Sequence, residues 1–379
     1  MKVVVAIDSF KGSLSSLEAG AAIQAGILGV IPDAKVCVRP LADGGEGTVE
    51  ALALGMNGKL EKVVVTGPLG TPVECTYGIL ESTKTAIVEM SGAAGITLVP
   101  EQDRNPLNTT TYGVGEVIKD AIAKGCRHFI VGIGGSATND GGIGMLQALG
   151  YGMLDKDGKQ VPFGAKGLES LITITDNQVI PELKECTFRV ACDVTNPLCG
   201  ETGCSTIFGP QKGATPSMIL SMDQWLGAYA TLTACKYDKA DATYPGTGAA
   251  GGMGFAFLAY TNAVLESGIK IVLEETKLEE YIKAADIVIT GEGRLDGQTI
   301  FGKAPIGVAG IAKKHNKMVL AFTGAVTDDA VTCNDHGIDA FFPILRKVCT
   351  LQEAMDRENA KANMVATVEQ VFRLMNVRK

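Results

Sequence analysis

The chain has 379 residues, 46% of them hydrophobic and 20% charged, with a formal net charge of −8 and a pI near 5.1. That acidity excludes a general nucleic-acid or anionic-membrane binder, so any anion site has to be local. The length suits two domains; ten cysteines without a C-x-x-C pair read as reduced, mostly buried thiols, and the three histidines make a three-histidine metal site an improbable use of the set.

The opening MKVVVAIDSF lacks the long apolar region and cleavage site of a secretion signal, and no run nears the roughly 18 apolar residues of a membrane span, so a cytoplasmic location is expected. Val3–Ile7 predicts a parallel strand covered on both faces. Asp8 and Lys11 follow its carboxyl end, the edge at which open parallel sheets bind ligands. A helix is predicted from Ser16 to Leu28, capped by Ser15 or Ser16. Strand Lys35–Arg39 leads into Pro40–Thr48, a glycine-rich turn holding Asp43 and Glu46. Capping needs only one acid, so two suggest a magnesium ion or substrate hydroxyls.

From Lys62 to Val99, short β-rich pieces separated by turns predict the hairpins of a second domain. Helix Gly113–Ala123 then feeds His128–Gly144, the stretch around which the chain is organised. Phe129-Ile130-Val131 is a short strand, Gly132, Gly134 and Gly135 break it into a turn carrying Ser136, Thr138, Asn139 and Asp140, and a helix follows through Leu149. In that arrangement backbone N–H groups can converge on an anion, aided by the positive end of the helix. A tight turn with Asp140 near a helix start is the plainer reading. Gly132-x-Gly134-x-x-Ala137 also satisfies a loose dinucleotide fingerprint, with Asp155 about twenty residues on, but Asp155 falls in a predicted hairpin tip.

Strand Phe188–Cys192 ends at Asp193-Val194-Thr195-Asn196-Pro197-Leu198. Gly209–Gly213 reads as a loop with one basic residue, and Pro216–Ala234 as a helix. Gly246–Gly251 repeats G-x-G-x-x-G without a convincing strand before it. Strand Ala285–Thr290 is followed by a loop holding Glu292, Arg294 and Asp296 among glycines, whose plainest role is a shaping ion pair. Helix Ala304–Lys314, strands Met318–Thr323 and Ala340–Pro343, and a closing helix Leu351–Leu374 complete the chain. The tail alternates strand and helix as the first 60 residues do, predicting one α/β domain built from both ends, residues 1–60 and 283–379, with a mixed α/β domain of residues 61–282 inserted.

Taken together, these loops resemble the type I glycerate kinase family. The matching motifs are Asp8–Gly12, Ala42–Thr48, Gly132–Gly142, Asp193–Leu198, Gly248–Gly254 and Thr290–Asp296, which run from near the N-terminus almost to residue 300. The resemblance implies ATP-dependent phosphorylation of D-glycerate, commonly at the 2-hydroxyl, giving 2-phosphoglycerate and ADP. It also implies a flavodoxin-like domain and an inserted one, with the active site in the cleft between. The matched motifs supply the substrate- and nucleotide-binding candidates Asp8, Ser9, Gly134, Gly135, Ser136, Asn139, Asp140, Asn196, Gly248, Gly251 and Gly252.

Phosphoryl transfer asks a protein mainly for alignment and for charge to offset the transferring oxygens. Neither a Walker loop nor the protein-kinase H-R-D set is present. Amides near Gly134–Ser136 or Gly248–Gly254 could hold the phosphates. Lys11 and Arg294 are the cations for the transferred group, or Arg294 could clamp the glycerate carboxylate bidentately. With few histidines, Asp193 or Asp296 is the base. Asp43, Glu46 or Glu292 would serve Mg2+. The competing classes are a nicotinamide-dependent hydroxy-acid dehydrogenase and a non-catalytic small-acid binding protein.

Overall fold

A computed structural model describes residues 1–42 and 47–376; Asp43 and Glu46 lie outside the described residues. In chain order the strands are β1 (Lys2–Val5), β2 (Lys35–Val38), β3 (Lys59–Thr66), β4 (Pro72–Leu80), β5 (Thr85–Glu89), β6 (His128–Gly132) and β7 (Gly152–Leu154). They continue as β8 (Thr173–Thr175), β9 (Thr187–Ala191), β10 (Ala263–Glu266), β11 (Ile287–Leu295), β12 (Met318–Val326) and β13 (Ala340–Pro343). Two compact units result: Met1–Asp43, Leu54–Met56 and Ile269–Lys379 form the first, Gly44–Ala53 and Asn57–Gly268 the second. The second junction lies ahead of the expected residue 283 because helices Gly268–Glu275 and Leu278–Lys283 pack with the first unit: a Cβ at Gly307 would touch Ile269 at 2.9 Å, and the Arg39 guanidinium stacks 4.2 Å over the Tyr281 ring.

The first unit is a five-stranded sheet ordered β13-β12-β11-β1-β2, parallel at every pairing. Counted within the unit this is the flavodoxin-like order 2-1-3-4-5, whose direction of winding reverses between β1 and β11. Val3, Val5, Ile7, Ile287, Ile289, Leu320 and Phe322 bury one core with helices Ser16–Val30 and Arg357–Asn376. Ser15 starts the former through a capping box with Glu18, worth about 1 kcal/mol. The closing helix is two: Asp356 breaks the run, and its Oδ1 then accepts from Asn359 N–H at 2.9 Å to cap Arg357–Asn376.

Two expected loops are ordered differently. The strand expected to stop at Thr290 continues to Leu295, pairing Glu292 with Thr323 and Arg294 with Ala325. Gly291 permits this: its φ is +151°, and a Cβ there would stand 1.8 Å from the Phe322 carbonyl oxygen. Gly209–Gly213 holds a turn of 3-10 helix, Pro210–Lys212, with Lys212 buried.

The second unit is a six-stranded mixed sheet ordered β10-β9-β6-β5-β4-β3. β3, β4 and β5 form the expected hairpins, while β5, β6, β9 and β10 run parallel. The sheet's parallel centre carries the Gly132–Asp140 turn at its carboxyl edge. Among the described residues no helix is long and apolar enough to cross a membrane. Gly291→Ala should lower the free energy of urea unfolding by about 2 kcal/mol or more, since the added methyl meets backbone; an unchanged midpoint would show that β11 and β12 can separate there without cost.

Candidate active site

In the first unit the sheet brings Asp8, Ser9 and Lys11 beside Glu292, Arg294 and Asp296. Asp8 N–H donates to the Gly291 carbonyl at 3.0 Å, tying the carboxyl end of β1 to that of β11 where the winding reverses. The chain then crosses the extended strand: a Cβ at Gly293 would meet Phe10 Cα at 3.4 Å and Lys11 N at 3.6 Å. Asp8 is buried, its Oδ1 accepting from Ser9 N–H at 2.7 Å, whereas Lys11 is exposed. Glu292 and Arg294 share a strand face because Gly293 alternates between them.

The acids here are held by partners that sequence reading did not single out. Thr299, fully buried, donates to Glu292 Oε1 at 2.7 Å, and Lys303 Nζ lies 3.4 Å from Asp296 Oδ1 and 3.8 Å from Glu292 Oε2. Arg294 Nε stands 3.6 Å from Asp296 Oδ2, so the expected shaping ion pair exists, yet the arginine side chain stays 65% exposed. It remains available to a ligand while Asp296 restrains it. Among the described residues no three His, Cys, Asp or Glu side chains gather as a metal site. Glu292, the one described metal candidate, faces the Lys303 ammonium.

In the second unit the turn after β6 separates into an outward half and a buried half. Gly134 and Gly135 are exposed, and Ser136 ends that half. Carbonyls and amides on either side are tied down: Ile96 N–H donates to Gly135 O at 2.8 Å, and Ala137 N–H to Ala94 O at 2.9 Å. Among the described residues, nothing accepts from the backbone N–H groups of Gly134, Gly135 and Ser136. Gly135 takes φ +71°, which costs a glycine nothing.

The other half points inward, and it carries Asn139 and Asp140 with it. Both are fully buried. Asn139 Nδ2 donates to Ser205 Oγ at 2.8 Å. Asp140 accepts from Thr111 N–H and Oγ1–H at 2.9 and 2.8 Å, from Gly142 N–H at 3.0 Å and from Gly144 N–H at 3.4 Å. Burial pushes its carboxyl up, against those hydrogen bonds, which favour the ionised form. Gly142 and Gly144 open helix Ile143–Ala148, so Asp140 already occupies the positive end expected to face an anion.

The second glycine loop is packed tightly against backbone. Gly248, Gly251 and Gly252 are buried, and Cβ atoms on them would stand 2.2 Å from Pro197 O, 2.1 Å from Thr138 O and 2.8 Å from Gly141 Cα. Ala250, Gly251 and Gly252 are left-handed at the start of helix Ala249–Tyr260, and the Gly251 carbonyl accepts from Gly141 N–H at 2.9 Å. Gly248 N–H donates to Asn196 O at 3.0 Å, and Asn196 Nδ2 to Thr202 O at 2.8 Å. Asp193 Oδ1 accepts from Gly268 N–H at 3.0 Å.

Two positions beside these turns escaped sequence reading. Lys212 Nζ donates to Ser136 Oγ at 2.8 Å and Thr138 O at 2.6 Å from beneath the turn. Burial brings its ammonium down to about 8, against the facing Cys204 and Asp140. Glu89 ends β5 beside Gly132, and its Oε1 accepts from Val49 N–H at 2.6 Å. The strand-end rule that found Asp8 applies equally to Glu89; no local pattern marks Lys212.

Asp140→Asn places an amide donor against at least one N–H and should cost about 2–4 kcal/mol of stability. Urea unfolding checks this, and a fully stable variant would show that the turn does not depend on the carboxylate.

Residues 3–376 match the glycerate kinase family. The chain is 48% identical over 375 residues to a Haemophilus influenzae protein named glycerate kinase, covering 99% of each. It is 50% identical over 356 residues to the Escherichia coli protein named glycerate 2-kinase, covering 93% of each. A crystal structure from Salmonella typhimurium LT2, named for glycerate kinase 2, superposes with a TM-score of 0.92 at 47% identity, over 100% of this chain and 98% of that one. A motif set that spans both units, on the flavodoxin-like and mixed sheets just described, is thus accounted for along nearly its whole length: the chain belongs to the glycerate kinase family.

Proposed function

We propose that the protein transfers the γ-phosphoryl group of ATP to the 2-hydroxyl of D-glycerate, releasing 2-phosphoglycerate and ADP. Family membership supports the kinase reaction, and the Escherichia coli relative's name supports the 2-position. The observation that supports the nucleotide side is the outward half of the β6 turn, where, among the described residues, nothing accepts from three successive backbone N–H groups at the carboxyl edge of parallel strands. Successive backbone N–H groups of this kind suit phosphate oxygens.

In the reaction the glycerate oxygen forms a bond to the γ-phosphorus, the bond from that phosphorus to the β–γ bridging oxygen breaks, and the hydroxyl proton passes to a carboxylate. Lys11 and Arg294, at the β1 and β11 ends, are the proposed cations for the transferred group and the glycerate carboxylate. Arg294 suits the carboxylate because its fork is exposed and restrained by Asp296. Asp193 and Asp296 are the proposed proton acceptors; Asp296 also orients Arg294, and Asp193 also accepts from Gly268 N–H. Asp8 and Ser9 shape the rim that presents Lys11. Mg2+ would arrive with ATP as its counter-ion, offsetting charge on the phosphate oxygens, with Asp43, Glu46 or Glu292 as protein contacts.

The dehydrogenase reading lacks its structural support. Asp155 Oδ1 accepts from the N–H groups of Asp157 and Lys159 in a hairpin tip, and β7 pairs antiparallel with β8 where a second parallel strand is required.

Incubation with magnesium-ATP and D-glycerate should release ADP in step with one phosphorylated product, identified as 2-phosphoglycerate by phosphorus NMR; 3-phosphoglycerate would overturn the regiochemistry, and no glycerate-dependent ADP the reaction itself. Lys11→Ala should lower turnover by at least about a hundredfold, and wild-type turnover removes Lys11 from the transfer step. In single-turnover assays on folded protein, whichever of Asp193→Asn and Asp296→Asn transfers phosphate normally does not supply the base.

A further inference from the structure

The phosphate turn needs a source of positive charge, and the helix after it cannot serve. Helix Ile143–Ala148 has its first amides taken by Asp140, while Met145 N–H donates to Thr111 Oγ1 at 3.0 Å. The cation at the turn is instead Lys212. Its side chain is 2% exposed, and both groups that accept from its ammonium, the Ser136 hydroxyl and the Thr138 carbonyl, are neutral. The groups hydrogen-bonded to the ammonium are neutral, and the Asp140 carboxyl that faces it offsets only part of the cost of burying it, so burial still brings it down.

Its acceptors bracket the point at which the turn changes direction. Ser136 closes the outward amides, and Thr138 opens the half packed on Gly251. Lys212 is itself positioned by backbone: Lys212 N–H donates to Gly209 O at 3.0 Å, and Gly213 follows at φ +89°, where a Cβ would meet Arg104 O at 2.1 Å. The lysine therefore approaches from a fixed direction.

We propose that Lys212 is a positioning residue of the phosphate turn: its ammonium holds Ser136 and Thr138 so that the amides of Gly134, Gly135 and Ser136 face outward, and its buried charge draws the nucleotide's phosphate to them. This rests on the assignment of that turn as the nucleotide-phosphate site. The titratable groups facing the ammonium are Asp140 in the turn and Cys204 at the start of helix Cys204–Phe208. The thiol, pushed up by burial to about 11, is neutral at pH 7, so it does not cancel the charge.

A bound phosphate favours the charged lysine. Linkage then requires nucleotide affinity to be full below the free lysine's pKa of about 8 and to fall as pH rises through it, by about tenfold per unit until the bound form also loses its proton. The nucleotide's phosphate has shed its last proton by that range.

The test uses calorimetric ADP binding on the full chain. In Lys212→Met, the dissociation constant should rise at least about tenfold at pH 7, with the KM for D-glycerate within twofold of wild type. Wild-type affinity should decline from pH 8 to 9.5, and the methionine variant's should not. A folded variant with wild-type ADP affinity, or parallel pH profiles for the two proteins, overturns the proposal. Should the variant not fold, a flat wild-type profile overturns it and a declining one supports it. Amide resonances separate the two readings: ADP binding that leaves Gly134, Gly135 and Ser136 unmoved in the wild type rejects the phosphate-turn assignment, whereas shifted amides with an indifferent lysine variant reject only the role given to Lys212.

Discussion

Two backbone turns meet at a distance that admits no side chain, and the second unit's candidate chemistry depends on that meeting. The Gly251 carbonyl accepts from Gly141 N–H at 2.9 Å, and a Cβ at Gly251 would stand 2.1 Å from Thr138 O. Three left-handed residues, Ala250, Gly251 and Gly252, create the approach. Once residues 138–141 are pinned, Asp140 can accept four hydrogen bonds inside the unit and Lys212 can reach Thr138 O from below. Asp140 and Asn139 Nδ2 are thereby turned inward, and residues 134 and 135 are the exposed part of the turn. The glycines of the second loop are therefore a steric condition for the first.

The first unit builds its rim by a different constraint. In an all-parallel sheet ordered 2-1-3-4-5 the loops leaving the first and third strands depart in opposite directions, opening the edge where β1 and β11 end. Here β11 and β12 run on past that edge, so Glu292 and Arg294 stand on paired strand in place of a pliable loop. Their rotational freedom is reduced before any ligand arrives, and less entropy remains to be lost on binding. Thr299 and Lys303 restrain them further from the start of helix Ala304–Lys314.

What was legible in the sequence follows the range over which each feature is determined. Strands rich in Val and Ile, capped helices and the Gly-Pro-bounded hairpins are set by local pattern, and they stand where the pattern puts them. Pairing of Asp8 and Lys11 with residues 292–296 follows from a strand-end rule applied twice. The extension of β11 was not legible, because a glycine at φ +151° beside Phe322 reads locally as a break; the neighbouring strand that makes it a continuation arrives only through pairing. Asn139 and Asp140 stand among glycines exactly as ligand-binding residues do, and only the Thr111 and Ser205 contacts, supplied from segments distant in sequence, turn them inward. Lys212 is the extreme case, a lysine in a polar turn whose burial is decided by two acceptors over seventy residues away.

Charge has to be supplied locally in a protein of net charge −8 whose substrates are anions. The two units meet that need in physically different ways. On the first, cations are exposed and restrained by carboxylates, Arg294 by Asp296 and Lys303 by Glu292 and Asp296; water screens such charges, so they act at contact range and suit groups that change during the reaction. On the second, one ammonium is enclosed beneath the turn, held by the Ser136 hydroxyl and the Thr138 carbonyl, where solvent screens it little. Burial holds the lysine to about 8, below its ordinary 10.5, so the folded chain carries this cation at a cost in stability that is full below about pH 8 and fades as pH rises from there toward the unfolded value.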